Sequence, residues 1–86
     1  MRRANRTELQ RIFQTVMAGE LEQYRKRNGL TQERMAQKLN LSVRTYADLE
    51  HGICAPSAAT LAIYLSQLPI ADQRRLLETL RDAWEE

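Results

Sequence analysis

The side chains best suited to recognition chemistry lie in the run Ser42–Glu50, SVRTYADLE. If this run is helical, Tyr46 and Leu49 are three residues apart and can anchor one face to a core. Val43, Arg44, Thr45, Ala47 and Asp48 then point outward near the helix N-terminus. An outward set near a helix N-terminus suits the reading of base edges in a major groove. An arginine can bond both acceptors of a guanine, an aspartate can accept from a cytosine amino group, and a valine can touch a thymine methyl. Thr31-Gln32 and Ser42-Val43 each open with a capping residue, so two helix N-termini would offer N–H groups to phosphates.

The chain offers little other chemistry. His51 is the single histidine and Cys54 the single cysteine, too few to hold a zinc ion. There is no Ser/His/Asp or Cys/His constellation, no paired-carboxylate motif and no Gly-rich phosphate loop. No enzyme, metal or cofactor is therefore expected. A lone cysteine excludes an internal disulfide and suits a reducing cytoplasm. MRRANRTELQ has no apolar stretch behind its arginines, and no apolar run approaches the ~18 residues of a membrane span. A soluble, cytoplasmic protein is the expectation.

Charge is distributed unevenly. The formal total is +2, but residues 1–45 hold ten Lys/Arg against four acids, a balance of +6. Residues 46–86 hold three arginines against seven acids, a balance of −4. A positive half of this kind can face a polyanion while the negative half turns away or pairs with another chain.

The elements that must position the 42–50 run follow from apolar spacing, which recurs at helical intervals with no sustained β alternation. Leu9, Ile12, Phe13, Val16, Met17, Leu21 and Tyr24 form one stripe, with Thr7 the expected N-cap and Gly19 an expected kink or break. Asn28-Gly29 should end that helix, because glycine tolerates the left-handed conformation at a helix C-terminus. Thr31 opens a second helix bearing Met35, Ala36 and Leu39, and Asn40 can make the turn. Ser42 caps the third. Pro56 bars regular helix across HGICAP, and Ser57 caps a fourth helix bearing Leu61, Ile63, Leu65 and Leu68. Pro69 breaks again, and a last helix from about Ala71 should carry Leu76, Leu77, Leu80, Ala83 and Trp84 on one face.

The stretch RKRNGLTQERMAQKLNLSVRTYADLEHGICAPS resembles the helix-turn-helix core of the phage-repressor/Cro-like (XRE-type) transcriptional regulators. The resemblance is carried by Gly29-Leu30-Thr31-Gln32, Met35-Ala36, Leu39, Leu41-Ser42, Leu49-Glu50, Gly52 and Pro56-Ser57. It implies an all-α, compact five-helix, lambda-repressor-like domain that binds operator DNA as a dimer. It further implies a phosphate contact for Gln32, base reading by Val43, Arg44 and Asp48, and backbone contacts from Ser42 and Thr45. His51, within Glu50-His51-Gly52, would touch phosphate, and Arg25 with Glu50 would form a partly buried salt bridge between helices 1 and 3. Three positions depart from the pattern. Asn40 replaces a usual glycine, Tyr46 a usual Ile or Val, and Val43 with Asp48 replace commoner amides or bases.

The expectation is a single domain over residues 1–86, with a core at about 20–68, an N-terminal helix extension at 7–19 and a C-terminal helix at 71–86. Its expected role is that of a sequence-specific DNA-binding regulator, a repressor acting as a homodimer on double-stranded DNA. The alternative is an antitoxin-type module whose main partner is a protein, engaged through the apolar, acidic C-terminal helix. Arg2, Arg3 and Arg6 are read as a disordered terminus in preference to a DNA-seeking basic arm.

Overall fold

The computed structural model describes residues 5–85; Arg2 and Arg3 lie outside the described residues, while Arg6, expected with them in a disordered terminus, is the first residue of a helix. Five helices follow one another with short connections: α1 (Arg6–Arg27), α2 (Gln32–Lys38), α3 (Val43–Glu50), α4 (Ala58–Ser66) and α5 (Ile70–Trp84). The chain is all-α, as its apolar spacing predicts.

Local chemistry sets most of the boundaries. The side chains of Thr31, Ser42 and Ser57 accept from the backbone N–H of Arg34, Thr45 and Thr60, each at 3.1 Å. Each bond satisfies one of the N–H groups that a helix start leaves unpaired. Helices α1, α2 and α3 end alike. A residue with positive φ stands one place beyond each C-cap: Gly29 at 65°, Asn40 at 58° and Gly52 at 73°. At the turn between α2 and α3, Leu41 N–H reaches back to Ala36 O at 2.9 Å and Asn40 N–H to Gln37 O at 3.1 Å. This is the Schellman pattern, and asparagine serves because it tolerates the left-handed region better than most side chains.

Two expectations for α1 need correction. The N-cap is Asn5, not Thr7. Asn5 Oδ1 accepts from Glu8 N–H at 2.9 Å, and Glu8 Oε1 accepts from Asn5 N–H at 3.0 Å. A carboxylate in the first turn also suits the positive end of the helix. Nor does Gly19 break the helix, which runs unbroken through 22 residues. One interior glycine costs only ~1 kcal/mol, and α1 is held against both α3 and α5.

The core is built from Met17 and Leu21 of α1, Met35, Ala36 and Leu39 around α2, Tyr46 and Leu49 of α3, and Tyr64, Leu68, Leu76 and Leu80 beyond them. Burying a Leu or Met side chain fully stabilises by ~1.5–3 kcal/mol, so this cluster supplies most of the drive to fold. The apolar residues of α4 and α5 divide between core, edge and surface, and the single face expected of α5 does not hold. In α4 the buried positions are Thr60 and Tyr64, while Leu61, Ile63 and Leu65 are half-buried at the edge of the core. In α5 Leu76 and Leu80 are buried, but Leu77 is 55% exposed and Ala83 is also exposed. Adjacent residues on a helix point ~100° apart, so Leu76 and Leu77 cannot both face inward.

Candidate nucleic-acid interface

Helix α3 has two chemically different faces. Its inner face buries Tyr46, Leu49 and Glu50. Its N-terminal turn presents Ser42, Val43, Arg44 and Thr45 to solvent, with Val43 43% exposed. Ser42 and Thr45 are already engaged with each other: the Ser42 hydroxyl caps the helix and donates to Thr45 Oγ1 at 2.9 Å. Their side chains fix the first turn, and beside them the side chains of Val43 and Arg44 make no hydrogen bond among the described residues. Asp48 is half-buried one turn further on, and His51 is exposed at the C-cap. Expected site residues from Ser42 to Asp48 are thus contributed by one short helix and its cap.

What aims this helix is a buried carboxylate. Glu50, the last residue of α3, has a side chain only 3% exposed. Arg25 of α1 grips it with two bonds, Nε to Oε2 at 2.8 Å and Nη2 to Oε1 at 2.9 Å. The Tyr46 hydroxyl, one turn back on α3, donates to the same Oε2 and sits 3.4 Å from Leu21 O. Gln32 Nε2 adds a fourth bond, to Oε1 at 3.2 Å. Arg25 also donates from Nη1 to Leu30 O at 3.1 Å, holding the chain as it enters α2. One carboxylate therefore ties α1, α2 and α3 into a fixed arrangement.

Electrostatics agree with the geometry. Burial alone would push the Glu50 carboxyl up, but the bonds from Arg25, Tyr46 and Gln32 outweigh it and bring it down to about 2. The bond to Glu50 pushes the Arg25 guanidinium up in turn. Burial, and then the Glu50 bond, push the Tyr46 hydroxyl up. At neutral pH the group is a carboxylate held by a cation and two neutral donors. The hydroxyl of Tyr46, an unusual anchor for such a helix, thereby has its partner.

Gln32, expected at a phosphate, is half-buried with one amide N–H given to Glu50. A carboxamide carries two N–H groups, so the second stays available to an outside acceptor. Sequence reasoning missed two supporting contacts. Gln14 Nε2 donates to Gly52 O at 3.3 Å, bracing the loop after α3 from the N-terminal half of α1. Gln67 Nε2 donates to Lys38 O at 2.9 Å, meeting a carbonyl left unpaired at the end of α2. Both glutamines are half-buried, and an isolated glutamine carries no spacing signal that would have announced either contact.

A second buried carboxylate, also unforeseen, lies away from α3. Glu20 of α1 accepts from the Tyr64 hydroxyl of α4 at 2.7 Å and from Arg75 of α5 through two bonds of 3.3 Å. Tyr64 also meets Tyr24 edge to face, with ring centroids 5.4 Å apart. This group fastens α4 and α5 to α1.

Among the described residues no cluster of His, Cys, Asp and Glu could hold a metal ion. No helix of the described residues is long and apolar enough to cross a membrane. Compared with known families, residues 21–71 match the model described as helix-turn-helix. Neither the curated proteins nor the solved structures gave a match. The matched segment begins in the last third of α1 and ends at the start of α5, so it contains α2, α3 and the whole Glu50 group.

Proposed function

The chain belongs to the XRE-type helix-turn-helix family of DNA-binding transcriptional regulators, and from that premise we propose that it is a sequence-specific repressor reading a major groove with α3. The observation that carries this reading is the division of α3. An exposed row, Val43, Arg44 and Thr45, stands at its N-terminal turn, and its far end is fastened through Glu50 to two other helices. A reading helix needs both properties, because base-edge bonds tolerate little angular slack.

Arg44 is the guanine reader, with its guanidinium on O6 and N7. Val43 touches a thymine methyl, and Asp48 accepts from a cytosine amino group. Ser42, Thr45, Gln32 and His51 position the domain on the backbone, where contacts set register and carry no sequence information. The excess of +6 over residues 1–45 supplies the attraction to phosphate that precedes recognition. The protein acts in the cytoplasm as a homodimer. It places one α3 per copy in successive major grooves about 34 Å apart and excludes polymerase by occupying the site.

An electrophoretic shift with duplexes from the region upstream of its own coding sequence tests the reading. Arg44→Ala should bind but lose its preference among sequences. Gln32→Ala should weaken binding to all of them alike. If both variants bind and discriminate as the parent does, α3 is not the reader.

A further inference from the structure

We propose that the groove between the start of α1 and the end of α5 binds a small aromatic carboxylate, with its ring against Phe13 and Trp84 and its acid group on Arg6. The site goes beyond the DNA-binding reading, since none of the residues assigned to DNA lines it.

Helices α1 and α5 pack together, and their contact leaves two apolar depressions on different flanks of α1. One is lined by Arg6, Leu9, Gln10 and Phe13 of α1, Trp84 of α5 and Ala55 of the loop between α3 and α4. Phe13 and Trp84 pack against the edge of the core, and with Leu9 they stay half-buried. Two aromatic side chains and a leucine are therefore left partly wet around one concavity. Laying a ring between them removes that apolar surface from water and adds the favourable geometry of aromatic pairs.

Charge selects the kind of ring. Arg6 is the one charged residue that lines the groove. It is exposed and forms no ion pair among the described residues. Gln10, four residues on and so on the same flank, is exposed and brings amide N–H groups. A guanidinium and a carboxamide beside an apolar floor match an acid group on a flat apolar body.

Size argues against a folded partner. The cavity is about 350 Å³, within the ~300–1,000 Å³ of small-molecule sites. Six residues line it, whereas a protein footprint takes roughly 20–30 on each side. The second depression, lined by Arg11, Ile12, Thr15, Val16 and Ala83, also has a cation but no aromatic ring. An aromatic acid should therefore choose the Trp84 side.

The placement of Ala55 gives the site a use. Its loop runs from His51, the C-cap of α3, to Ser57, the N-cap of α4, and Gln14 of α1 already braces it at Gly52 O. A ligand held between Ala55 and α1 fastens the same loop, which places it to act on α3 as an effector. That consequence alone rests on the DNA-binding reading.

Titration of the full chain with β-naphthoate, followed by nitrogen–proton correlation NMR, is the test. The amide peaks of Leu9, Phe13 and Ala55 and the indole N–H peak of Trp84, the chain's single tryptophan, should shift together and saturate. A Kd of about 1 mM is expected for so small a ligand. Arg6→Gln should weaken binding ~2–5-fold, the worth of an exposed ion pair. Leu9→Glu should weaken it at least ~10-fold by setting a carboxylate in the groove. The uncharged β-naphthamide should bind the parent ~2–5-fold more weakly than the acid, and should bind Arg6→Gln as it binds the parent. Arg11→Gln, on the other flank, should change nothing. Arg6 and Arg11 are exposed, and the spread of the peaks checks that each variant folds. Shifts that do not saturate, or that are largest away from the groove, overturn the proposal. So does an acid indifferent to Arg6→Gln, or an amide that binds as tightly as the acid. Groove peaks that move with protein concentration alone also overturn it, because the face would then be an interface between copies. A ligand that binds as stated to a chain that shifts no duplex would sink the DNA-binding reading and leave the site standing.

Discussion

Glu50 and Glu20 are two buried carboxylates, each gripped by an arginine and a tyrosine, yet they do different work. Glu50 and Arg25 have side chains 3% and 16% exposed, with bonds of 2.8 and 2.9 Å. Glu20 is 7% exposed, but Arg75 is 46% exposed and its two bonds are 3.3 Å. Glu50 has a further donor in Gln32 and draws its partners from α1 and from the two helices of the helix-turn-helix, α2 and α3. Glu20 fastens the peripheral α4 and α5. The difference shows where rigidity is concentrated. The tighter, drier group sits beneath the helix that must be aimed, while the looser one closes the back of the bundle. In both, the ion pair contributes specificity of arrangement more than net stability, since desolvation offsets most of the attraction.

Removing one arginine from each group breaks the comparison most sharply. Arg25→Ala leaves Glu50 buried without its cation, a loss of ~3–5 kcal/mol, against a total stability for a small domain of ~5–15 kcal/mol. Denaturant unfolding should show a variant that is largely unfolded or barely stable. Acid should single out the same group next. A carboxylate held at about 2 in the fold and near ~4.3 unfolded stabilises the protein above the higher value, and that contribution is lost as pH falls toward the lower one. Melting temperature should therefore decline between about pH 5 and pH 2, and Glu50→Gln should flatten part of that decline. Arg75→Ala should cost only ~0.5–1 kcal/mol, because a half-exposed arginine is screened by water and Tyr64 still satisfies Glu20. Its DNA sequence preference should be unchanged, as measured by the same shift assay. The smallest effect joins the two groups through α1. Nothing lies within 4 Å of a Cβ added at Gly19, and its φ is not positive, so Gly19→Ala should raise stability by ~0.5–1 kcal/mol. A loss of stability in that variant would mean that α1 needs its freedom between Glu20 and Arg25.

Much of the frame was legible before the structure. Thr31, Ser42 and Ser57 announce helix starts by their capping chemistry, and Gly29 and Asn40 announce ends by their tolerance of positive φ. The Arg25–Glu50 contact came through family resemblance, because no local pattern links residues 25 positions apart. The Glu20 group had no such support. Tyr64 and Arg75 lie 44 and 55 residues from Glu20, and a glutamate amid polar neighbours reads as solvated surface. Tyr64 was hidden for a second reason. LAIYL is apolar at every position, so its periodicity cannot say which residues face inward. Leu77 illustrates the reverse error: two adjacent leucines cannot both be core on one helix, and the sequence does not say which yields. The outward position of Val43, Arg44 and Thr45 followed from the anchoring of Tyr46 and Leu49, and the structure leaves those three exposed. Ala47 and Asp48, placed in the same outward set, are half-buried.

Selection of bound duplexes from a random pool, run in parallel with the parent protein and Arg44→Ala, tests the account most directly. The parent should enrich a two-fold symmetric motif containing a fixed guanine in each half. Arg44→Ala should lose the preference at that base, worth ~1–3 kcal/mol or roughly 5–150-fold, while keeping the rest of the motif. Enrichment of the same motif with the same guanine by both proteins, or of no motif by the parent, would contradict the assignment of α3 as the reading helix.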